Sequence, residues 1–214
     1  AQSAPRRPYL WSLNSFVMRH ILWFFAFVLL GSSPALAQLY TLGGQIAAAD
    51  QRPIDSVKVV LYNSAGQAID STLTSCSQSS FSFANLPAGD YELLIEKTDD
   101  THLNGLSTLD IVLASRIMLG HASASGLALL AADVDADGSL NILDLLRTRQ
   151  VVLGIANQLP APVWRFVRAG APPAATRWPV NLSADLLNFG FTGVKTGDLN
   201  LTFQGCSIGM EAPS

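Results

Sequence analysis

The chain has 214 residues, a formal net charge of −3 and only 14% charged residues. That length allows one to three small domains with at least one sizeable core. It carries no basic run and no aromatic–basic interleaving, which argues against a nucleic-acid partner. Two cysteines, Cys76 and Cys206, are too few for a disulfide scaffold and leave one bridge or two free thiols open.

Met18-Arg19-His20 gives a short positive start, Ile21 to Leu30 is apolar, Gly31-Ser32-Ser33-Pro34 breaks the run, and Ala35-Leu36-Ala37 is a small-residue cleavage site. Residues 18–37 therefore read as a signal peptide cut after Ala37. About ten apolar residues fall short of the ~20 that span a bilayer, so no transmembrane segment is expected after cleavage. Residues 1–17 precede Met18 and read as a non-native or mis-called extension. The predicted mature chain begins at Gln38 and is secreted or held at the cell surface. Loss of Arg6, Arg7 and Arg19 takes the 13 basic residues to 10 against 16 acidic ones, about −6.

Residues 38–97 read as β-structure. Tyr40 to Ile46 is a strand broken by Gly43-Gly44. Val57 to Tyr62 is rich in β-branched and aromatic residues, Ala68 to Thr74 follows a turn, Ser80-Phe81-Ser82-Phe83 alternates, and Tyr91, Leu93 and Ile95 share a face. Short strands at this spacing predict a small antiparallel sandwich.

Residues 98–157 turn helical and repeat. Asp110 leads into Ile111 to Gly120 as Asp144 leads into Leu145 to Gly154. Ser107 and Asn141 are predicted N-caps with Asp110 and Asp144 as their capping partners, and Gly120 and Gly154 fit the position just past each helix. Before the second helix, Asp133, Asp135, Asp137 and Asp144 fall at positions 1, 3, 5 and 12 of a twelve-residue loop, with Gly138 at the sharp turn. Alternate side chains on such a loop point to its concave side, where carboxylates can share one hard cation. The expected Ca²⁺ ligands are Asp133, Asp135, Asp137, the carbonyl of Ser139, Asn141 directly or through water, and Asp144. The first loop is degenerate. With Asp110 at position 12 it offers Asp99 and Thr101, whereas pairing Asn104-Gly105 with Asp137-Gly138 shortens it by one residue and makes Asn104 a ligand. Both registers stay open.

Residues 158–203 close the pattern with strands at Trp164 to Val167 and Phe189 to Val194, around a Pro/Ala loop at Gly170 to Ala175. Lys195-Thr196-Gly197-Asp198-Leu199-Asn200 reads as a turn or as a further oxygen source. Residues 204–214 are a tail. His102 and His121 lie outside any H-E-x-x-H or Cys/His cluster, and no G-x-S-x-G or P-loop occurs, so no catalytic residues are assigned and the chain is expected not to be an enzyme.

Phe81-Ser82-Phe83-Ala84-Asn85-Leu86-Pro87-Ala88-Gly89-Asp90-Tyr91 resembles the end of a carboxypeptidase-regulatory-like, prealbumin-like or Cna-B-type domain. The paired loop–helix units resemble a dockerin, and the order Asn104 to Asp110, Ala131-Ala132-Asp133, Trp164-Arg165-Phe166-Val167 and Lys195 to Asn200 is similar to dockerin-like regions of secreted Bacteroidetes proteins. The resemblance implies an α+β multidomain chain: a small antiparallel β-sandwich, a dockerin-like EF-hand helix pair, and short C-terminal strands packing on that pair. It also implies calcium-dependent folding and a role in assembly or surface attachment, as in polysaccharide-degrading systems, with a cohesin-like or surface-assembly protein as partner. The alternative is an adhesin or carbohydrate-binding spacer with structural calcium, for which Tyr40, Tyr62 and Tyr91 are candidate glycan contacts. Loop positions 10 and 11, polar in cohesin-binding dockerins, are Thr108-Leu109 and Ile142-Leu143 here. The apolar second pair reads as facing a core.

Overall fold

Period-two burial builds the framework. In the computed structural model, which describes residues 38–169 and 177–206, Phe81 and Phe83 point inward from one strand, and Tyr91, Leu93 and Ile95 from another, as their alternation predicts. The expected signal peptide and the residues before it, the Gly170 to Ala175 loop and the end of the tail lie outside the described residues. None of the helices described is long and apolar enough to cross a membrane.

Among the described residues, eight strands form two four-stranded sheets. In the first, β1 (Leu39–Ala48) lies between β4 (Ser80–Pro87) and β8 (Phe191–Lys195), and β8 pairs onward with β6 (Trp164–Val167). In the second, β2 (Lys58–Asn63) pairs with β3 (Ala68–Leu73) and β5 (Gly89–Glu96), and β5 pairs with β7 (Arg177–Leu182). One core fills the space between them, with Leu42, Ile46, Leu61, Phe83, Leu93 and Leu182 almost wholly buried. Truncating a side chain such as Phe83 to Ala in a core of this kind costs ~3–5 kcal/mol.

Three expectations change here. The sandwich is not confined to residues 38–97: β7 pairs antiparallel with β5, and β8 lies parallel to β1 from Ile46↔Phe191 to Ala48↔Gly193. The sandwich is thus antiparallel-rich but mixed. The C-terminal strands do touch the helical region, through Val167, Val194 and Ala131, but their backbone partners belong to the sandwich. Non-local pairing of this kind leaves no mark in local periodicity. Finally, Gly43-Gly44 does not break β1. The strand runs through it, and the missing side chain at Gly44 admits the Phe189 carbonyl, with which any Cβ would collide. Phe189 N–H donates to the Gly43 carbonyl at 3.0 Å and Gly43 N–H to that of Leu186 at 2.8 Å.

Residues 98–157 supply three helices, α1 (Thr108–Met118), α2 (Gly126–Ala132) and α3 (Ile142–Val152). The predicted capping boxes form: Ser107 with Asp110 on α1, and Asn141 with Asp144 on α3. Gly120 and Gly154 follow the two C-caps with φ of 71° and 70°. The short α2 was not expected. Its Ala131 and Ala132 are buried, and these small side chains let the helix sit close to β8. A second small core of Leu106, Val134, Val151 and Leu159 joins the loops to α3. Cys76 and Cys206 form a disulfide across 130 residues, resolving the alternatives for these thiols.

Candidate functional site

The Asp133–Asp144 loop begins where α2 ends, with Asp133 as its C-cap, and finishes in the first turn of α3. Two residues with positive φ curl it, Ala136 at 60° and Gly138 at 88°. Gly138 suits this conformation because it carries no Cβ. The curl brings carboxylate oxygens of Asp133, Asp135 and Asp137 within 4.8 Å of one another.

These carboxylates also organise the loop backbone. Asp133 accepts from Asp137 N–H at 3.1 Å and Gly138 N–H at 3.2 Å, and Asp137 accepts from Ser139 N–H at 2.8 Å. The Asn141 amide donates to Asp137 Oδ2 at 3.1 Å and to the Ser139 carbonyl at 3.4 Å, while its Oδ1 caps Leu143 N–H. The sixth expected ligand is placed differently. Asp144 is 1% exposed, and both of its oxygens accept backbone N–H groups, Oδ1 from Val134 at 2.9 Å and Oδ2 from Asn141 at 2.8 Å. Burial pushes its pKa up, the Asp135 and Asp133 charges add to this, and the two N–H donors oppose it. The three-carboxylate mouth fits a hard cation's demand for oxygen. Asp144 meanwhile acts as the staple that joins loop to helix.

Two arginines approach the same loop. Arg165 on β6 donates from Nη2 to the carbonyls of Leu130 and Asp133, and its Nη1 lies 3.6 Å from Asp133 Oδ2. Burial pulls the Arg165 pKa down and Asp133 opposes the pull. Arg147 Nε lies 3.4 Å from Asp135 Oδ2, without a hydrogen-bond partner of its own. The partner roles of these two arginines were not read from the sequence. The i, i+3 spacing of Asp144 and Arg147 marks only helix position, and nothing local marks Arg165.

The first loop is arranged otherwise. Gly105, at φ 82°, takes the turn that Gly138 takes in the second, which selects the shorter of the two open registers. Asp100, His102 and Asn104 then stand where Asp133, Asp135 and Asp137 stand. The four residues expected as ligands do not converge. Asp99 is exposed and pairs with Lys97 at 2.8 Å, and Thr101 offers its carbonyl to Lys195 Nζ at 2.6 Å. The Asn104 amide donates to Asp100 and to the Gln204 carbonyl, both at 2.9 Å. Asp110 is fully buried and accepts from Ser107 and from the N–H groups of Leu199 and Asn200.

Asp100 is the hub of this loop. It takes Trp164 Nε1–H at 2.8 Å and lies 3.3 Å from Lys195 Nζ. Burial alone would raise its pKa, but Asn104, Trp164 and Lys195 together hold it below the usual carboxylate range. Burial lowers the pKa of His102, whose Nε2 faces the Ala161 carbonyl at 3.0 Å. Asp198 is also buried, accepting from Thr202 and Phe203 N–H at 3.0 and 2.8 Å. The Lys195 to Asn200 segment is therefore a structural turn in which its one acid, Asp198, already has donors.

A second grouping, Asp55 with Cys76 and Cys206, is not a metal centre because the two sulfurs are bonded to each other.

No protein-family model matches this chain, and no curated protein matches it. Among solved structures the chain is similar to the C-terminal fragment of pilus adhesin SpaC from Lactobacillus rhamnosus GG, at 19% identity and a TM-score of 0.26. That match covers 30% of this chain and 25% of the fragment, so it spans a quarter of the fragment's length and carries no argument about function. The class stands on the strands themselves: a two-sheet β-sandwich with three short helices inserted between its strands.

Proposed function

We propose that this protein is a secreted, non-catalytic, calcium-binding assembly module with a dockerin-like helix pair set into a β-sandwich. The observation that carries the reading is the convergence of Asp133, Asp135 and Asp137 within 4.8 Å on a loop curled by Gly138. Three carboxylates this close repel one another, and the two arginines beside them, Arg165 and Arg147, leave one negative charge in excess. Ca²⁺, a hard cation that favours oxygen ligands, supplies the missing positive charge when bound. Asp133, Asp135, Asp137 and the Ser139 carbonyl would hold it. Because Asp133 caps α2 and Asp137 bonds Asn141 at the start of α3, ordering the loop orders both helix ends. Metal binding then adds directly to folding stability.

A pair of apolar stripes supports assembly as the use of this module. On α1, Leu109 and Val112 with the following Leu119 are 51%, 52% and 64% exposed. At the matching places on α3, Leu143 and Leu146 with the following Leu153 are 48%, 50% and 57% exposed. Ile142-Leu143 therefore faces solvent and not a core, against expectation. Exposed leucines repeated at helical spacing are a surface for a protein partner of the cohesin-like or surface-assembly kind.

The adhesin or glycan-binding alternative has less support. Tyr91 is buried with its hydroxyl on the Pro87 carbonyl, and the Tyr62 ring is covered by the Arg177 guanidinium at 4.2 Å. Pull-down with cohesin-like domains in calcium and in chelator separates the two. Capture in calcium alone supports assembly, whereas no capture together with retention on a glycan column favours the alternative.

A further inference from the structure

We infer that Lys195 is the built-in cation of the first loop, which therefore takes no metal, so that the protein holds one calcium ion per chain. This rests on the calcium reading of the second loop.

The two loops superpose in sequence through their turn glycines, Gly105 and Gly138. That register sets Asp100 on Asp133, His102 on Asp135 and Asn104 on Asp137. Only one of the three first-loop residues is an acid, and a cation already faces it. The Lys195 side chain is 0% exposed, its Nζ donates to the Thr101 carbonyl at 2.6 Å, and Asp100 Oδ2 lies at 3.3 Å. Trp164, the residue paired with Lys195 across β6 and β8, donates to the same carboxylate oxygen. Of the other two positions, His102 faces the Ala161 carbonyl, and Asn104 spends its amide N–H groups on Asp100 and the Gln204 carbonyl and its Oδ1 on Gln204 N–H.

The same strand pair serves both loops and treats them differently. Lys195 on β8 enters the first loop and balances Asp100, the one acid at the three matched positions. In the second loop three carboxylates converge and two cations face them, Arg165 on β6 at 3.6 Å from Asp133 and Arg147 on α3 at 3.4 Å from Asp135. In the first loop the one acid at the matched positions, Asp100, has its cation without metal. The other sets three carboxylates against two arginines, an excess of one negative charge that metal can satisfy. A buried ion pair that loses one partner leaves an uncompensated charge, so removing the ammonium should be costly and removing both charges much less so.

The test uses the full chain. Calorimetric titration with CaCl₂ after chelator treatment should give one ion per chain, and thermal melts in excess chelator should show Lys195→Met melting ~10 °C below the parent. Adding Asp100→Asn to Lys195→Met should recover most of that loss. Two ions per chain, or an unchanged chelated melt for Lys195→Met, overturns the inference. Should Lys195→Met fail to fold, Asp100→Asn alone decides. It should lower the chelated melting temperature and leave the calcium-induced rise at the parent value, and a lost rise overturns the inference. A parent chain that takes up no calcium removes the calcium reading of the second loop, while the chelated double-mutant melts still decide whether Lys195 neutralises the first.

Discussion

Asp110 Oδ1 accepts the backbone N–H of Leu199 at 2.8 Å, tying the first turn of α1 to a segment 89 residues later. The same oxygen takes Asn200 N–H at 3.2 Å, and Oδ2 takes both the N–H and the hydroxyl of Ser107 at 2.8 Å. A side chain with four donors and no exposure must present acceptors only. Asp110→Asn turns one oxygen into a donor facing other donors, and should destabilise the fold by ~2–4 kcal/mol. Urea denaturation with an unchanged slope checks this, and a loss under 0.5 kcal/mol, on the order of a surface substitution, would contradict it.

The Cys76–Cys206 bond closes a loop of 130 residues and ties Cys206 to the connection between β3 and β4. Loop-closure entropy on that scale corresponds to ~4–5 kcal/mol. The Cys76→Ser/Cys206→Ser pair should therefore melt well below the oxidised parent, and reductant should shift the parent but not the double variant. Equal melting of parent and variant under oxidising conditions would show that the bond adds nothing.

The pH response follows from His102. Burial holds its folded pKa below the unfolded value of ~6.5. The unfolded chain then binds the proton first as pH falls. Stability is full above pH ~6.5 and is lost as pH drops through and below that value, at a slope of at most ~1.4 kcal/mol per pH unit. Melts at pH 7.5, 6.5 and 5.5 should show the decline, and His102→Gln should flatten it. A decline of the same size in His102→Gln would place the proton elsewhere.

Much of the framework could be read from residues alone, because its signals are local. Alternation at Ser80 to Phe83 and Tyr91 to Glu96 marked strands, and the Ser107/Asp110 and Asn141/Asp144 pairs marked two helix starts that the structure reproduces as capping boxes. The missing pieces depend on distant partners. Arg177 to Leu182 alternates cleanly, with Trp178, Val180 and Leu182 inward, so β7 itself was detectable by period, though its pairing with β5 was not. The parallel β1–β8 contact has no local trace. Lys195 looked like a turn residue, since burial of a lysine follows from what surrounds it in space and not from its sequence neighbours. In the candidate site, spacing brought out the three converging aspartates, yet gave no sign that Asp144 would spend both oxygens on backbone N–H groups.

The exposed stripes make a surface prediction. Val112→Asp and Leu146→Asp replace half-exposed apolar side chains, so each should leave the melting temperature in chelator unchanged within the ~0.5 kcal/mol typical of surface sites. Both together should abolish capture by a cohesin-like domain in calcium. Retained capture at parental affinity would move the interface off these helices.

The most direct test of the account is a pair of thermal melts, one in millimolar calcium and one in excess chelator, on the parent chain and on Asp133→Ala. Saturation at ~100-fold above the dissociation constant stabilises by ~2.7 kcal/mol. The parent should melt several degrees higher with calcium, and Asp133→Ala should lose most of that rise. A parent chain that melts at one temperature in both solutions would contradict calcium-linked folding.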